Sequence, residues 1–323
     1  MRKVALIVSI VLVILSVATL AGCGGDEPAV ESTTTAAAAQ GPVVRVASLL
    51  DSEGTLLGSM IIQMLEADGI RTEDKTKLGT PEVVRAALLA GEIDATVDYT
   101  GSGQYYHEGE EGDPKWKNAE QAYAAIKQLD HDANGIAWLT PAPANNSEFI
   151  ATTRTLAEAE SVTTMSDFAR YVNEGGGVKL IAAQSWIDNP LGLQGFEEAY
   201  DFALTDDQLV ALSTGNTAEM LSALAKGTDG VNFSLAYGTD GQLNELDLLI
   251  LTDTMDIPPV YEPTPVFRGE IIEAYPQIET ILGPVFSSLD QAKLQELNAR
   301  IAFGGEDPRA VATSYLEANG FLK

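Results

Sequence analysis

Three short β-rich runs separated by two stretches of helical apolar spacing fill residues 43–97, and this alternation restricts the fold more than any other feature of the chain. Residues 43–48, VVRVAS, read as a first strand. Apolar residues then recur at Leu56, Leu57, Met60, Ile61, Met64 and Leu65, with polar Asp51 and Ser52 before them and Gly69 at the end, the pattern of a capped helix. Residues 70–77 return as a strand. After the turn LGTP, Pro81 opens a second helix that carries Val83, Val84, Ala87 and Leu88 and stops at Gly91. A third strand follows at 93–97. Strand–helix–strand–helix–strand implies a parallel sheet with helices on its faces, because parallel neighbours need crossovers. Ligands in such sheets sit beyond the carboxyl ends of the strands, here residues 48–52, including Ser52, and 99–102.

The third strand leads into an acid, an aromatic and a run of small residues: Asp98, Tyr99, Thr100, Gly101 and Ser102. A tyrosine at a strand end, beside backbone that can be closely approached, suits capture of a small molecule. A lone tyrosine is more ordinarily a half-buried residue with a satisfied hydroxyl, so the reading needs matching aromatics from elsewhere in the chain.

The remaining pattern supplies a second α/β unit. A helix at 119–129 precedes GIAWLTPAPANNSEFIATTR, a strand, a Pro-rich turn and another strand at 148–153. A capped helix at 163–173 ends at Gly175–Gly177. Strands at 178–183 and 230–237, with a helix at 218–227, fill the stretch 148–253. Residues 248–251 and DTMDIPPVYEPTPVFR then read as a return crossing into C-terminal helices at 270–275, 277–282, 291–303 and 307–319. Two crossings give a discontinuous first lobe, 43–147 plus 254–323, and a continuous second lobe, 148–253.

At the other end, Arg2 and Lys3 precede an apolar run at 4–18 that is short for a membrane span. Leu20-Ala21-Gly22-Cys23 closes it, so residues 1–22 read as a signal peptide. The sequence LAGC resembles the bacterial lipobox, whose cysteine becomes a lipidated N-terminus, which makes Cys23 a lipid anchor to the membrane. Residues 23–42 are rich in Gly, Pro, Ser, Thr and Ala and read as a flexible tether. Cys23 is the only cysteine, so neither a disulfide within the chain nor a Cys-based metal site is available.

Charge and motif content exclude other classes. With 19 basic against 47 acidic residues and a net charge of −28, the chain has no basic surface to replace phosphate counterions and is not a nucleic-acid binder. The field of such a chain serves solubility, with attraction of cationic solutes as the functional alternative. The two histidines, His107 and His131, lie in no nucleophile-elbow or zinc-ligand context. The stretch DHDANG lacks the spacing of an EF-hand and reads as a solvated helix end. No cofactor is expected, and a secreted α/β enzyme is the lesser alternative.

Taken in order, SEGTLLGSMIIQMLEADG, LGTPEVVRAALLAGEID, DYTGSG, GIAWLTPAPANNS, LGLQGFEEAYDF, AYGTDGQL and PPVYEPTPVFR resemble the solute-binding lipoproteins of ABC importers that take up glycine betaine, choline and related quaternary amines. The resemblance implies a type II periplasmic-binding fold: two α/β lobes joined by two hinge strands, with the ligand between them. It implies a monomer held outside the cytoplasm that delivers its solute to the transmembrane permease subunits. In this family the ammonium group sits in a box of aromatic rings, and each well-placed desolvated ring is worth about 2 kcal/mol by cation–π attraction.

By position, Tyr99 matches the cage tyrosine of the family's YTGT motif, with Thr100 beside it and Ser102 replacing the last threonine. Tyr237 and Tyr261 match further aromatics, and Asn145 and Asn146 the hinge asparagines. Two basic residues that grip a ligand carboxylate are replaced by Leu49 and Asn189, the latter with Trp186 nearby, and a carboxylate buried without them is costly. The expected ligand therefore lacks a carboxylate, as choline or another cationic amine does, with Glu148 or Asp98 as counter-charge. A binder of a different small polar solute, or a sensory lipoprotein without substrate, is the alternative.

Overall fold

The computed structural model describes residues 41–322 except 214 and 215, and within them the strands form two five-stranded sheets. Residues 1–40, on which the expected signal peptide, Cys23 and most of the expected tether fall, lie outside the described residues. The first sheet has the order β2 (Thr72–Gly79), β1 (Val44–Leu49), β3 (Ala95–Tyr99), β10 (Pro263–Arg268) and β4 (Ile136–Trp138). The second has the order β7 (Leu209–Leu212), β6 (Leu180–Ala183), β8 (Phe233–Tyr237), β5 (Glu148–Thr153) and β9 (Leu248–Ile250). All strands of the second sheet lie between β4 and β10 in sequence, so the first sheet draws on both ends of the chain.

The expected parallel pairing holds where helices intervene: β1 runs parallel to β2 and β3, and β6 to β7 and β8. Each sheet also contains an antiparallel strand. Strand β5 pairs antiparallel with β8 and β9, and β10 pairs antiparallel with β3 and β4. The stretch PTPVFR, read from sequence as part of a crossing, is thus a central strand. Prolines are normally confined to sheet edges because they lack a ladder donor. Here residues 263–267 all register with β3, but the carbonyls of Pro263 and Pro265 point to the other side, where they accept from Ala142 and Leu139. That neighbour is itself an irregular Pro-containing segment, so the missing donors fall where no regular ladder continues.

Helix α1 (Ser52–Ala67) starts where the Asp51 side chain accepts from the Gly54 N–H at 2.7 Å. The six apolar residues picked out by spacing are buried, and Ile62 is buried with them because the C-terminal helices cover the side away from the sheet. Alternation along the strands then sorts the first sheet's two faces. Val44, Val46, Ala95 and Val97 join the core under α1, whereas Ala47 joins a second core with Trp116, Ile126 and Trp138. A separate core of Phe168, Phe196, Phe233 and Trp186 stabilises the second sheet. Between the sheets run residues 139–147 and 251–262, which meet where the Asn146 N–H donates to the Tyr261 carbonyl at 2.9 Å.

Candidate functional site

Tyr99 ends β3 with the parity of Ala95 and Val97, so its ring faces α1. Its hydroxyl donates to Glu53 Oε1 at 2.8 Å. Glu53, in the first turn of α1, is only 6% exposed. Its carboxylate also accepts from Asn146 Nδ2 at 3.3 Å and from Asn298 Nδ2 at 2.6 Å. Burial is the main reason its carboxyl is pushed up to about 7; hydrogen bonds from Thr239, Tyr99 and Asn298 oppose it, and Asp51 adds to it. Glu53 was not among the residues singled out from sequence, where only the neighbouring Ser52 was. Ser52 itself is exposed at the helix start. The available signal was an acidic residue in the first turn of a helix that is otherwise apolar, next to the carboxyl end of β1.

The second lobe contributes Tyr237 and Glu148, directly opposite each other in the β5/β8 ladder and hence on one face. The Tyr237 hydroxyl lies 3.5 Å from Glu148 Oε1. Burial raises the Glu148 carboxyl to about 7, opposed by the bond from Tyr237. Tyr261 comes from the return crossing: its N–H donates to Asn145 Oδ1 at 3.0 Å, and Gln104 Nε2 approaches its hydroxyl at 3.5 Å. Tyr105, half exposed and also unmarked in the sequence reading, lies beside it and exchanges a hydroxyl contact with it. Burial, with Glu148 nearby, holds the phenols of Tyr237, Tyr261 and Tyr105 above the ordinary tyrosine value, and Tyr99 is raised by burial and by Glu53. All four rings are neutral.

Asp98 goes elsewhere. As the neighbour of Tyr99 it emerges on the opposite face of the sheet, where its Oδ2 accepts from the Tyr106 hydroxyl at 2.8 Å. The Arg85 guanidinium lies 4.2 Å above the Tyr106 ring and forms a two-pronged bond to buried Asp130 at 2.7 and 2.6 Å, which Trp138 Nε1 also reaches at 2.7 Å. Asp130, within DHDANG, is thereby committed to an internal ion pair. Thr100 and Ser102 are likewise committed: Thr100 Oγ1 donates to the Val260 carbonyl at 2.9 Å and accepts from the Glu262 N–H at 3.1 Å, and Ser102 bonds within the Asp98–Tyr106 group. Gly101 admits the return crossing, since a side chain there would meet the Val260 carbonyl at 2.8 Å and the Tyr261 ring at 2.9 Å. Trp186 follows β6 and is 2% exposed against Phe196; no hydrogen bond joins it to the tyrosine group, and its Nε1 has no partner among the described residues. Leu49 ends β1 half-buried, and Asn189 Oδ1 accepts from the Leu191 N–H.

The structure therefore brings together Tyr99, Tyr237, Tyr261, Asn146 and Glu148 from the sequence reading and adds Glu53, Tyr105 and Thr239. Among the described residues no lysine or arginine bonds to Glu53 or Glu148, and none contributes to their raised values. Residues 42–318 match the family described as the substrate-binding domain of ABC-type glycine betaine transport systems. The chain belongs to that family.

This binding protein is 45% identical to the glycine betaine-binding protein YehZ of Escherichia coli over 280 residues, 87% of the chain and 92% of the relative. The structure of apo YehZ superposes with a TM-score of 0.76 over 86% of this chain and 99% of that one. A Pseudomonas aeruginosa protein described as glycine-betaine-binding is 30% identical over 88% of this chain and 90% of its own. A glycine betaine/carnitine/choline ABC transporter structure, 22% identical, shares the two-lobed type II periplasmic-binding fold with a TM-score of 0.76 over 87% of this chain and all of that one. The family's members bind substrate for ABC importers outside the cytoplasm and are not enzymes. No helix among the described residues is long and apolar enough to cross a membrane.

Proposed function

We propose that this protein captures a quaternary-ammonium solute in a box walled by Tyr99, Tyr237 and Tyr261, favours a choline-like ligand over glycine betaine, and delivers it to the permease. The observation that carries the reading is the pair of buried Glu53 and half-buried Glu148, two carboxyls amid neutral rings with no cationic partner among the described residues. A trimethylammonium group has no N–H to donate, so ring faces and nearby negative charge are what stabilise it. A ligand carboxylate in the same space would face two acidic groups and no arginine fork. Ser52, exposed at the start of α1, completes the proposed surroundings of the ligand, whereas Asp98, Thr100 and Ser102 bond behind the strand end that carries Tyr99 and Trp186 packs into the core of the second sheet.

Glycine betaine is the second reading. It is favoured by the 45% identity to a protein described as binding it, and by carboxyls near 7 that, when protonated, donate to a ligand carboxylate. Titration calorimetry with choline, glycine betaine, carnitine and an uncharged osmolyte separates the two readings. Choline should bind most tightly; glycine betaine binding as tightly as choline at pH 8 would overturn the preference. In this scheme lobe 1 spans 43–147 plus 254–323 and lobe 2 spans 148–253, and lipid on Cys23 holds a monomer at the membrane.

A further inference from the structure

Behind the tyrosines the two lobes are joined by a closed ring of hydrogen bonds. Glu53 Oε1 accepts from Asn146 Nδ2 at 3.3 Å, and Asn146 Oδ1 accepts from Thr239 Oγ1 at 2.8 Å. The Thr239 carbonyl accepts from Asn298 Nδ2 at 2.9 Å, and the same Nδ2 donates to Glu53 Oε2 at 2.6 Å. Glu53 lies on α1, Asn146 in the first crossing, Asn298 on the helix Gln291–Ala302, and Thr239 two residues beyond Tyr237. Glu53, Thr239 and Asn298 are at most 8% exposed.

The seam continues along the Gln291–Ala302 helix. Gln291, Gln295 and Asn298 fall at positions i, i+4 and i+7, one face of a helix. Gln295 Nε2 donates to the Gly238 carbonyl at 2.8 Å, Gln291 Nε2 donates to the same carbonyl, and Asn244 Nδ2 donates to Gln295 Oε1 at 2.9 Å. The backbone at 238 and 241 lies so close to its neighbours that a side chain at 238 would run into the Asn145 carbonyl, and one at 241 into the backbone of Ala299. The turn after β8 is thus fitted to the C-terminal helix, and the fit does not use the space between the tyrosines.

We infer that Glu53, Thr239 and Asn298 are positioning residues for the cage: their ring fixes the Tyr99 hydroxyl on one lobe and the strand end bearing Tyr237 on the other in a single frame. Affinity then depends on groups that need not touch the ligand. A ring that acts only on geometry weakens a cation and a neutral ligand of the same shape by the same factor. This inference rests on the proposed cage only for its affinity arm.

The test compares Thr239→Val, which removes the hydroxyl donor at nearly constant volume, with Thr239→Ser, which keeps it. The first arm needs no ligand: nitroxide pairs at Lys127→Cys and Lys226→Cys, with Cys23→Ser, report the distance between lobes by electron–electron resonance in the full chain. Thr239→Val should broaden the distance distribution and Thr239→Ser should restore it; a Thr239→Val distribution matching the wild type overturns the inference. In the second arm, calorimetry with choline and its neutral isostere 3,3-dimethyl-1-butanol should show both weakened about 3- to 10-fold in Thr239→Val, the range for one lost hydrogen bond, and recovered in Thr239→Ser. Unchanged affinities with a lowered melting temperature would reduce the ring to a structural support and refute it. Wild-type protein that binds no quaternary amine sinks the proposed function, while the distance arm still decides the ring. Asn298→Ala serves as a second variant should Thr239→Val fail to fold, with the same broadening expected.

Discussion

Glu53 gives the sharpest quantitative prediction because it is almost fully buried and has no cationic partner among the described residues. Its carboxyl is raised from an ordinary 4.5 to about 7, chiefly by burial. The folded protein therefore holds this proton more tightly than the unfolded chain does. The stabilisation is fully present below about 4.5 and is lost as pH rises through about 7. The distance from 4.5 to about 7 corresponds to about 3 kcal/mol between the two ends of that window. Glu148 acts in the same direction but is partly open to solvent and contributes less. Asp240, raised to about 6 by burial, adds a further share.

Comparing wild type with Glu53→Gln cancels those shares, since both proteins carry them. Glutamine does not titrate, so the difference in unfolding free energy between the two proteins should change by about 2.5 kcal/mol from pH 5 to pH 8, with the variant gaining on the wild type as pH rises. Its absolute offset is set by how well the amide fits opposite the Asn146 and Asn298 amides and does not enter the slope. Urea unfolding of the ligand-free protein at half-unit pH steps measures the difference directly. Parallel pH profiles for the two proteins would mean that Glu53 is ionised or solvated in the folded state, and the argument from its burial would fail.

Three further outcomes follow from the same contacts. Asp130→Asn leaves the Arg85 guanidinium buried beside a neutral group and should destabilise the protein by about 3–5 kcal/mol in urea unfolding, with ligand affinity changed far less than stability. Tyr237→Phe keeps the ring and loses only a long contact to Glu148, so calorimetry should show it binding choline nearly as wild type, whereas Tyr237→Ala should lose at least about 30-fold; equal losses would place the interaction in the hydroxyl. Gly101→Val drives a side chain into the Val260 carbonyl and the Tyr261 ring and should weaken choline at least about tenfold by displacing Tyr261, while Gly109→Val, where a first side-chain atom meets nothing within 4 Å, should lower the melting temperature through its left-handed backbone without a matching loss of affinity.

Several features could be read from residue pattern because they depend on local periodicity. Burial of Leu56 to Leu65 followed from helical spacing, and the strand at 148–153 matched β5 end to end. Parity along β3 was also present in the sequence: Tyr99 and Asp98, as neighbours, had to face opposite ways, and only one could line the site. That parity separates the pair: Tyr99 joins the tyrosine group while Asp98 bonds Tyr106 on the far face. The PTPVFR stretch escapes such local rules. Two prolines argue against a central strand unless the segment beside them is irregular, and that segment, 139–142, is more than a hundred residues away in sequence.

What the sequence by itself determined is the alternation of strands and helices, the two-lobed plan and the tyrosines at strand ends, since each rests on spacing, turn residues or ordered motifs. The tertiary structure alone decided which acids matter. Asp98, Asp130, Glu53 and Glu148 are alike as carboxylates in a chain with 47 acidic residues. Folding sends the first two to tyrosine, arginine and tryptophan donors inside one lobe. It places the other two, Glu53 buried and Glu148 half-buried, among neutral groups at the junction of the lobes. A carboxylate's role depends on the dielectric and the partners around it, and those are fixed by contacts between residues as far apart as 53 and 298.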